Sequence, residues 1–172
     1  MAQHIVVTEY NPLWLKMFDI EAEKIKRILK KNCIAIHHIG STSVVGLAAK
    51  PIIDIMPIVH NLEDVDRVAL EFEKIGYEYM GEFGISGRRY LRKGGDERTH
   101  QIHIFSEDNT VDIERHLVVR DYLRTHKAVC EEYATLKKEL AQKYPYDIDG
   151  YCDGKDCFVQ QMEKEALKWK NG

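Results

Sequence analysis

Residues 37–59 read H-H-I-G-S-T-S-V-V-G-L-A-A-K-P-I-I-D-I-M-P-I-V. Two apolar runs flank a stretch of small residues. The pattern predicts a strand over 33–39, a turn at Gly40-Ser41-Thr42-Ser43, a short connection that turns again at Gly46, and a second strand over 51–59. A Gly-Ser turn at the end of a buried strand lets the backbone approach a ligand closely. Its amides and hydroxyls then form an anion-binding concavity. On the second strand side chains alternate, so Ile52, Asp54 and Met56 share one face while Ile53 and Ile55 share the other. An acid within so apolar a strand needs a metal, a donor or water to offset its burial. Gly40, Ser41 and Thr42 are therefore candidate phosphate contacts, and Asp54 and Ser41 are candidate catalytic groups.

Working outward, residues 4–8 are β-branched enough for a short strand or extended arm. Asn11-Pro12 opens an amphipathic helix running to Lys31, with Trp14, Met17, Phe18, Ala22, Ile25, Ile28 and Leu29 at helical spacing. Beyond the central stretch, Asn61 caps a helix whose apolar face ends at Gly76. Three strand-like runs follow, over 77–83, 88–92 and 100–105, the last two joined as a hairpin through Gly94-Gly95-Asp96. From about residue 112 only helical periodicity remains, over 112–125, 127–144 and 153–170. The last of these is expected to bury Phe158, Met162, Ala166 and Trp169. The expected architecture is one α+β domain over 1–172, with a mixed sheet flanked by helices to about 108 and a helical lobe from about 109.

The 172 residues are enough for a real core, and 44% hydrophobic with 31% charged is ordinary for a globular chain. A net charge of −3 leaves no footprint for nucleic acid or an anionic membrane, so any phosphate site must be a local basic pocket. The four cysteines have no zinc or disulfide spacing. Without a leader signal at residues 1–4 or an apolar run long enough to span a bilayer, the expected compartment is the cytoplasm. The expected partner is a small molecule.

The order Gly40-Ser41, twelve residues, then Asp54-Ile55 resembles the signature of the DNA polymerase beta-type nucleotidyltransferase superfamily. The fuller string HHIGSTSVVGLAAKPIIDIM is similar to the GrpB family. So are THQIHIF at 99–105, ERHLVVRDYLR at 114–124, and Tyr133, Leu136, Lys137, Leu140 and Ala141 in order. The superfamily resemblance implies a nucleotidyltransferase-like fold, a Gly-Ser turn holding a triphosphate, carboxylates holding magnesium, and triphosphate contacts from Lys137 and Lys155 on the helical lobe. Members of the GrpB family occur fused to dephospho-CoA kinase, which associates it with the coenzyme A pathway.

One departure stands out. The second carboxylate of the signature should follow Asp54 by two residues, and Met56 stands there. On the strand over 99–105, where a third acid is expected, His103 shares a face with Gln101 and Phe105. An Asp54/His103 site completed by His37 or His38 would suit manganese or zinc better than magnesium, because imidazole favours those ions. Alternation allows only one of His37 and His38 to join, and the candidate metal set is Asp54, His103 and His38. Lys50, Arg88 and Arg89 are further phosphate candidates, with alternation again admitting one of the two arginines. Arg120 and Arg124 lie one helical turn apart and share a face directed at the site or at nearby acids. Three functions fit these residues: a metal-dependent nucleotidyltransferase with an unusual carboxylate set, a non-catalytic module binding a nucleotide or coenzyme A pathway ligand, and a His/Asp metallohydrolase.

Overall fold

The computed structural model describes residues 4–172. Residues 1–3, on which the expectation of no leader signal rests, lie outside them. Helix α1 (Leu13–Leu29) turns Trp14, Ala22, Ile25 and Leu29 inward, as its spacing predicts. Five strands form one mixed sheet in the order β1-β2-β5-β4-β3: β1 (Cys33–Ile39), β2 (Ile53–Val59), β3 (Tyr77–Tyr79), β4 (Arg88–Lys93) and β5 (His100–Ser106). Strands β2 and β5 run parallel, and every other neighbouring pair is antiparallel. Three helices complete the chain: α4 (Thr110–Thr125), α5 (Lys127–Lys143) and α6 (Ile148–Asn171).

Several local expectations change. The single helix expected after Asn61 is two, α2 (Leu62–Arg67) and α3 (Ala69–Lys74), because Val68 leaves helical geometry at φ −106° and ψ 13°. Strand β3 stops at Tyr79, short of the predicted Phe83, as the chain turns through positive φ at Gly81 and Phe83. Helix α6 begins at Ile148 because the side chain of Asp147 caps the amide of Gly150 at 3.0 Å. Trp169, expected to be buried, is 43% exposed and lies edge-on to Tyr122 and His126 in the last turns of α6.

The two faces of the sheet take different covers. Ile53, Ile55, Leu91, Ile102 and Ile104 pack against Trp14, Ile25 and Phe72 on one side. On the other, Ile39, Met56 and Phe105 meet Ile113 and Leu117 of α4. The helical lobe closes its own core of Val118, Leu123, Tyr133, Met162 and Ala166 around Val44 and Leu47. The connection between β1 and β2 is thereby held between sheet and lobe. The N-terminal arm adds a tie: Thr8 forms an antiparallel bridge with Ala49, and the amide of Ile5 donates to the carbonyl of Pro145 at 2.7 Å. No helix among the described residues is long and apolar enough to cross a membrane.

Candidate functional site

Gly40 leaves β1 at φ +72°, a conformation that favours glycine. Space demands glycine as well, since a Cβ there would lie 2.7 Å from Oδ2 of Asp54. Ile39 and Asp54 are direct partners in the β1/β2 ladder, which sets the turn beside the carboxylate. Helix α4 fixes the ends of the turn. Arg120 donates to the carbonyl of His38 at 3.3 Å, and Arg124 donates twice to that of Ser43, at 3.1 and 2.9 Å. The arginine pair anticipated in the sequence thus reaches the site's backbone.

The carboxylate of Asp54 is held from β5. Arg88 lies 3.4 Å from Nδ1 of His103, and a guanidinium can only donate, so Nδ1 accepts and the ring proton sits on Nε2. Nε2 then donates to Oδ1 of Asp54 at 3.1 Å. Gln101, with its amide oriented to suit its neighbours, donates to the same oxygen at 2.9 Å and accepts from Tyr90 at 3.3 Å and Arg98 at 3.2 Å. Gln101 was not singled out as a site residue, although its alternation with His103 placed it on the same face. Its role follows from the β2/β5 register, which sets Asp54 opposite Gln101.

Asp54, Gln101, Ser41 and Thr42 line one side of a cleft of about 160 Å³. Lys50, Lys137, Lys155 and Tyr151 line it too, so three ammonium groups face one carboxylate. Lys137 is 2% exposed and donates to Oγ of Ser41 at 2.6 Å, with its ammonium 4.3 Å from the centre of the Tyr133 ring. Lys50 and Lys155 each lie over Tyr151, at 5.1 and 5.3 Å. Burial, followed by the neighbouring Lys155, holds the Lys137 ammonium well below its ordinary range and lowers Lys50 as well. Tyr151, another residue the sequence did not single out, is fully buried and its hydroxyl has no partner among the described residues. A second cavity, of about 110 Å³, lies beside the same turn and is lined by Gly40, Ser41, His116 and Tyr133.

Other candidates lie elsewhere. His38 pairs with Ile55 in the ladder and therefore faces away from Asp54. Its Nε2 bonds Thr42 at 2.9 Å, its ring stacks on Phe18, and burial lowers it to about 4. Asp54, His103 and His38 are accordingly not assembled around one point. Arg89 is committed on the opposite face in a two-pronged pair with Asp66, at 2.8 and 3.2 Å. Arg88 faces the site's side of the sheet but stands behind His103 rather than lining the cleft, and it also donates to the carbonyl of Phe83 at 2.9 Å.

A divalent ion fits this donor set poorly. Asp54 is the single acid in the cleft, Met56 is wholly buried, and His103 presents an N–H rather than a lone pair. Among the described residues no group of three His, Cys, Asp or Glu side chains is placed to hold a metal.

The profile of the family described as GrpB protein matches residues 4–165. The chain belongs to the GrpB family. The crystal structure of conserved protein GrpB from Enterococcus faecalis superimposes with a TM-score of 0.94 at 57% identity, covering 97% of this chain and 100% of that one. Among GrpB relatives, UPF0157 protein YqkA of Bacillus subtilis is 47% identical over 95% of this chain. The Glutamate-rich protein GrpB of Alkalihalophilus pseudofirmus is 32% identical, covering 94% of this chain and 95% of that protein. The chain spans about half the length of the Bacillus subtilis protein, 47%. A Cid1 poly(U) polymerase structure overlaps far less, with a TM-score of 0.48 at 14% identity over 77% of this chain and 45% of that one.

Proposed function

We propose that the cleft binds a phosphate-bearing small molecule, with a nucleoside triphosphate as the class indicated by the Gly40-Ser41 and Asp54 signature. The observation that carries this reading is the environment of Lys137. The buried carboxylate of Glu21, 3% exposed, is offset by a cation: it accepts from Lys93 at 2.9 Å as well as from Tyr77 at 2.8 Å. Lys137 is as deeply buried, yet among the described residues no carboxylate pairs with it. A buried ammonium without a counter-ion is costly, and an anionic ligand entering beside it removes that cost.

In this reading the ammonium groups and the Ser41-Thr42 turn take the phosphates. Asp54, oriented by His103 and Gln101, accepts a hydrogen bond from a hydroxyl elsewhere on the ligand. If transfer occurs, an acceptor hydroxyl attacks the α-phosphorus and pyrophosphate leaves, and Asp54 is the group in this cleft that can take the proton of that attacking hydroxyl. Met56 in the place of a second acid favours a second reading, binding without transfer.

The test is calorimetric titration with ATP, GTP, CTP and UTP, with magnesium, with manganese and with neither, for the natural protein and Lys137→Met. Binding that weakens at least about tenfold in the variant, as expected when a charge-assisted hydrogen bond is lost, supports the reading. Failure of all four nucleotides to bind in every condition overturns the triphosphate assignment. Pyrophosphate release during incubation with a bound nucleotide separates transfer from binding alone.

A further inference from the structure

We propose that this pocket binds its phosphate ligand without a divalent metal, the ammonium groups of Lys50, Lys137 and Lys155 supplying the positive charge that an ion would otherwise bring. The inference rests on the phosphate reading above and concerns how the charge of that ligand is met. A metal-dependent phosphate site needs several oxygen ligands on the protein to hold the ion against the phosphates. Here the acid is solitary and half engaged. Oδ1 of Asp54 accepts from both His103 and Gln101, which leaves Oδ2, facing the space a Cβ would fill at Gly40, as the one carboxylate oxygen open to a ligand.

The two positions able to supply further acids have been given other work. Met56 packs with Ile39 and Phe105 inside the sheet's second core. Gln101 ties Asp54 to Tyr90 and Arg98, which brings another cation to the rim of the site instead of an anion. On the opposite wall three lysines converge, from three separate parts of the chain. Lys50 comes from the connection before β2, Lys137 from α5 and Lys155 from α6. Their ammoniums rest on the faces of Tyr133 and Tyr151, which stabilise cations without neutralising them. The charges therefore stay available to a ligand.

Inorganic pyrophosphate and tripolyphosphate are the probes, because they isolate the phosphate subsite from any base or sugar. Each is titrated calorimetrically into the chain in excess chelator and again in excess magnesium. Binding in chelator, weakened severalfold by magnesium as the ion competes for the phosphates, is the expected result. Lys50→Gln and Lys155→Gln should each weaken binding in chelator about ten- to hundredfold, as for loss of a hydrogen bond to a charged group. Asp54→Asn should tighten it, by removing the negative charge beside the anion. Binding that appears only with magnesium or manganese, and is abolished by Asp54→Asn, overturns the inference while leaving the phosphate reading intact. Absence of binding to either probe in both conditions overturns the phosphate reading and the inference together.

Discussion

Lys137 carries the sharpest residue-scale consequence. Its ammonium is lowered by burial first and then by Lys155, with Lys50 adding to the effect and Cys130 and Asp54 acting against it. In the unfolded chain the same group titrates near 10.5. Between its depressed folded value and that value the unfolded chain holds more protons, so Lys137 makes the fold more stable as pH rises through the alkaline range. Lys137→Met should therefore raise stability near neutral pH by roughly 1–3 kcal/mol, seen as a higher urea midpoint, because a desolvated charge is replaced by an apolar side chain of similar length. It should also flatten the alkaline rise. Urea unfolding across pH, for natural protein and variant, checks both. At this scale Gly40, Ser41 and Asp54 were legible because each signal is local: a turn residue after an apolar run, and one acid among isoleucines. The choices between His37 and His38, and between Arg88 and Arg89, were not. Each depends on ladder register, in which Ile39 opposes Asp54 and Tyr90 opposes His103, and register is a relation between distant stretches.

Among elements, α5 and α6 show how a closely approached helix limits its sequence. Gly154 lies in α6 where a Cβ would come within 2.4 Å of Cδ2 of the buried Leu140 on α5. Alanine normally favours a helix over glycine by up to about 1 kcal/mol. Here overpacking outweighs that gain, and Gly154→Ala should cost roughly 1–2 kcal/mol. Pairing it with Leu140→Ala should recover part of the loss, a non-additivity that thermal unfolding of the two single variants and the double variant would measure. Helix and strand positions were readable from periodicity for α1, β1, β2, β5 and the three lobe helices. The break at Val68 was not, since nothing in its apolar pattern interrupts the helix and only the backbone turn marks it. Trp169 was misplaced for a related reason: helical spacing assigns a face, but it does not report whether the neighbouring helix still covers that face in the last turns.

At the scale of the whole molecule, acid sensitivity is built into both sides of the sheet. His38 and His116 are each lowered from 6.5 to about 4, His38 by burial followed by the opposing pull of Asp54, His116 by burial and then His103. The unfolded chain takes up these protons first as pH falls. The share of stability held by these two histidines should therefore be lost between about pH 6.5 and about pH 4, with His38 alone contributing on the order of 3 kcal/mol. Urea midpoints measured across that window should fall, and His38→Asn should make the decline shallower.

The N-terminal arm has a consequence of another kind. Ile5 bonds to Pro145 and packs on Leu140 and Tyr151, partners at least 135 positions away, and Thr8 waits for Ala49. On the ribosome the arm emerges well before α5 and α6, so Ile5 has no docking place until α6 has begun to leave the exit tunnel. Ile5 is thus made long before it can settle, and a synthesis interrupted ahead of α6 leaves it as an exposed apolar thread.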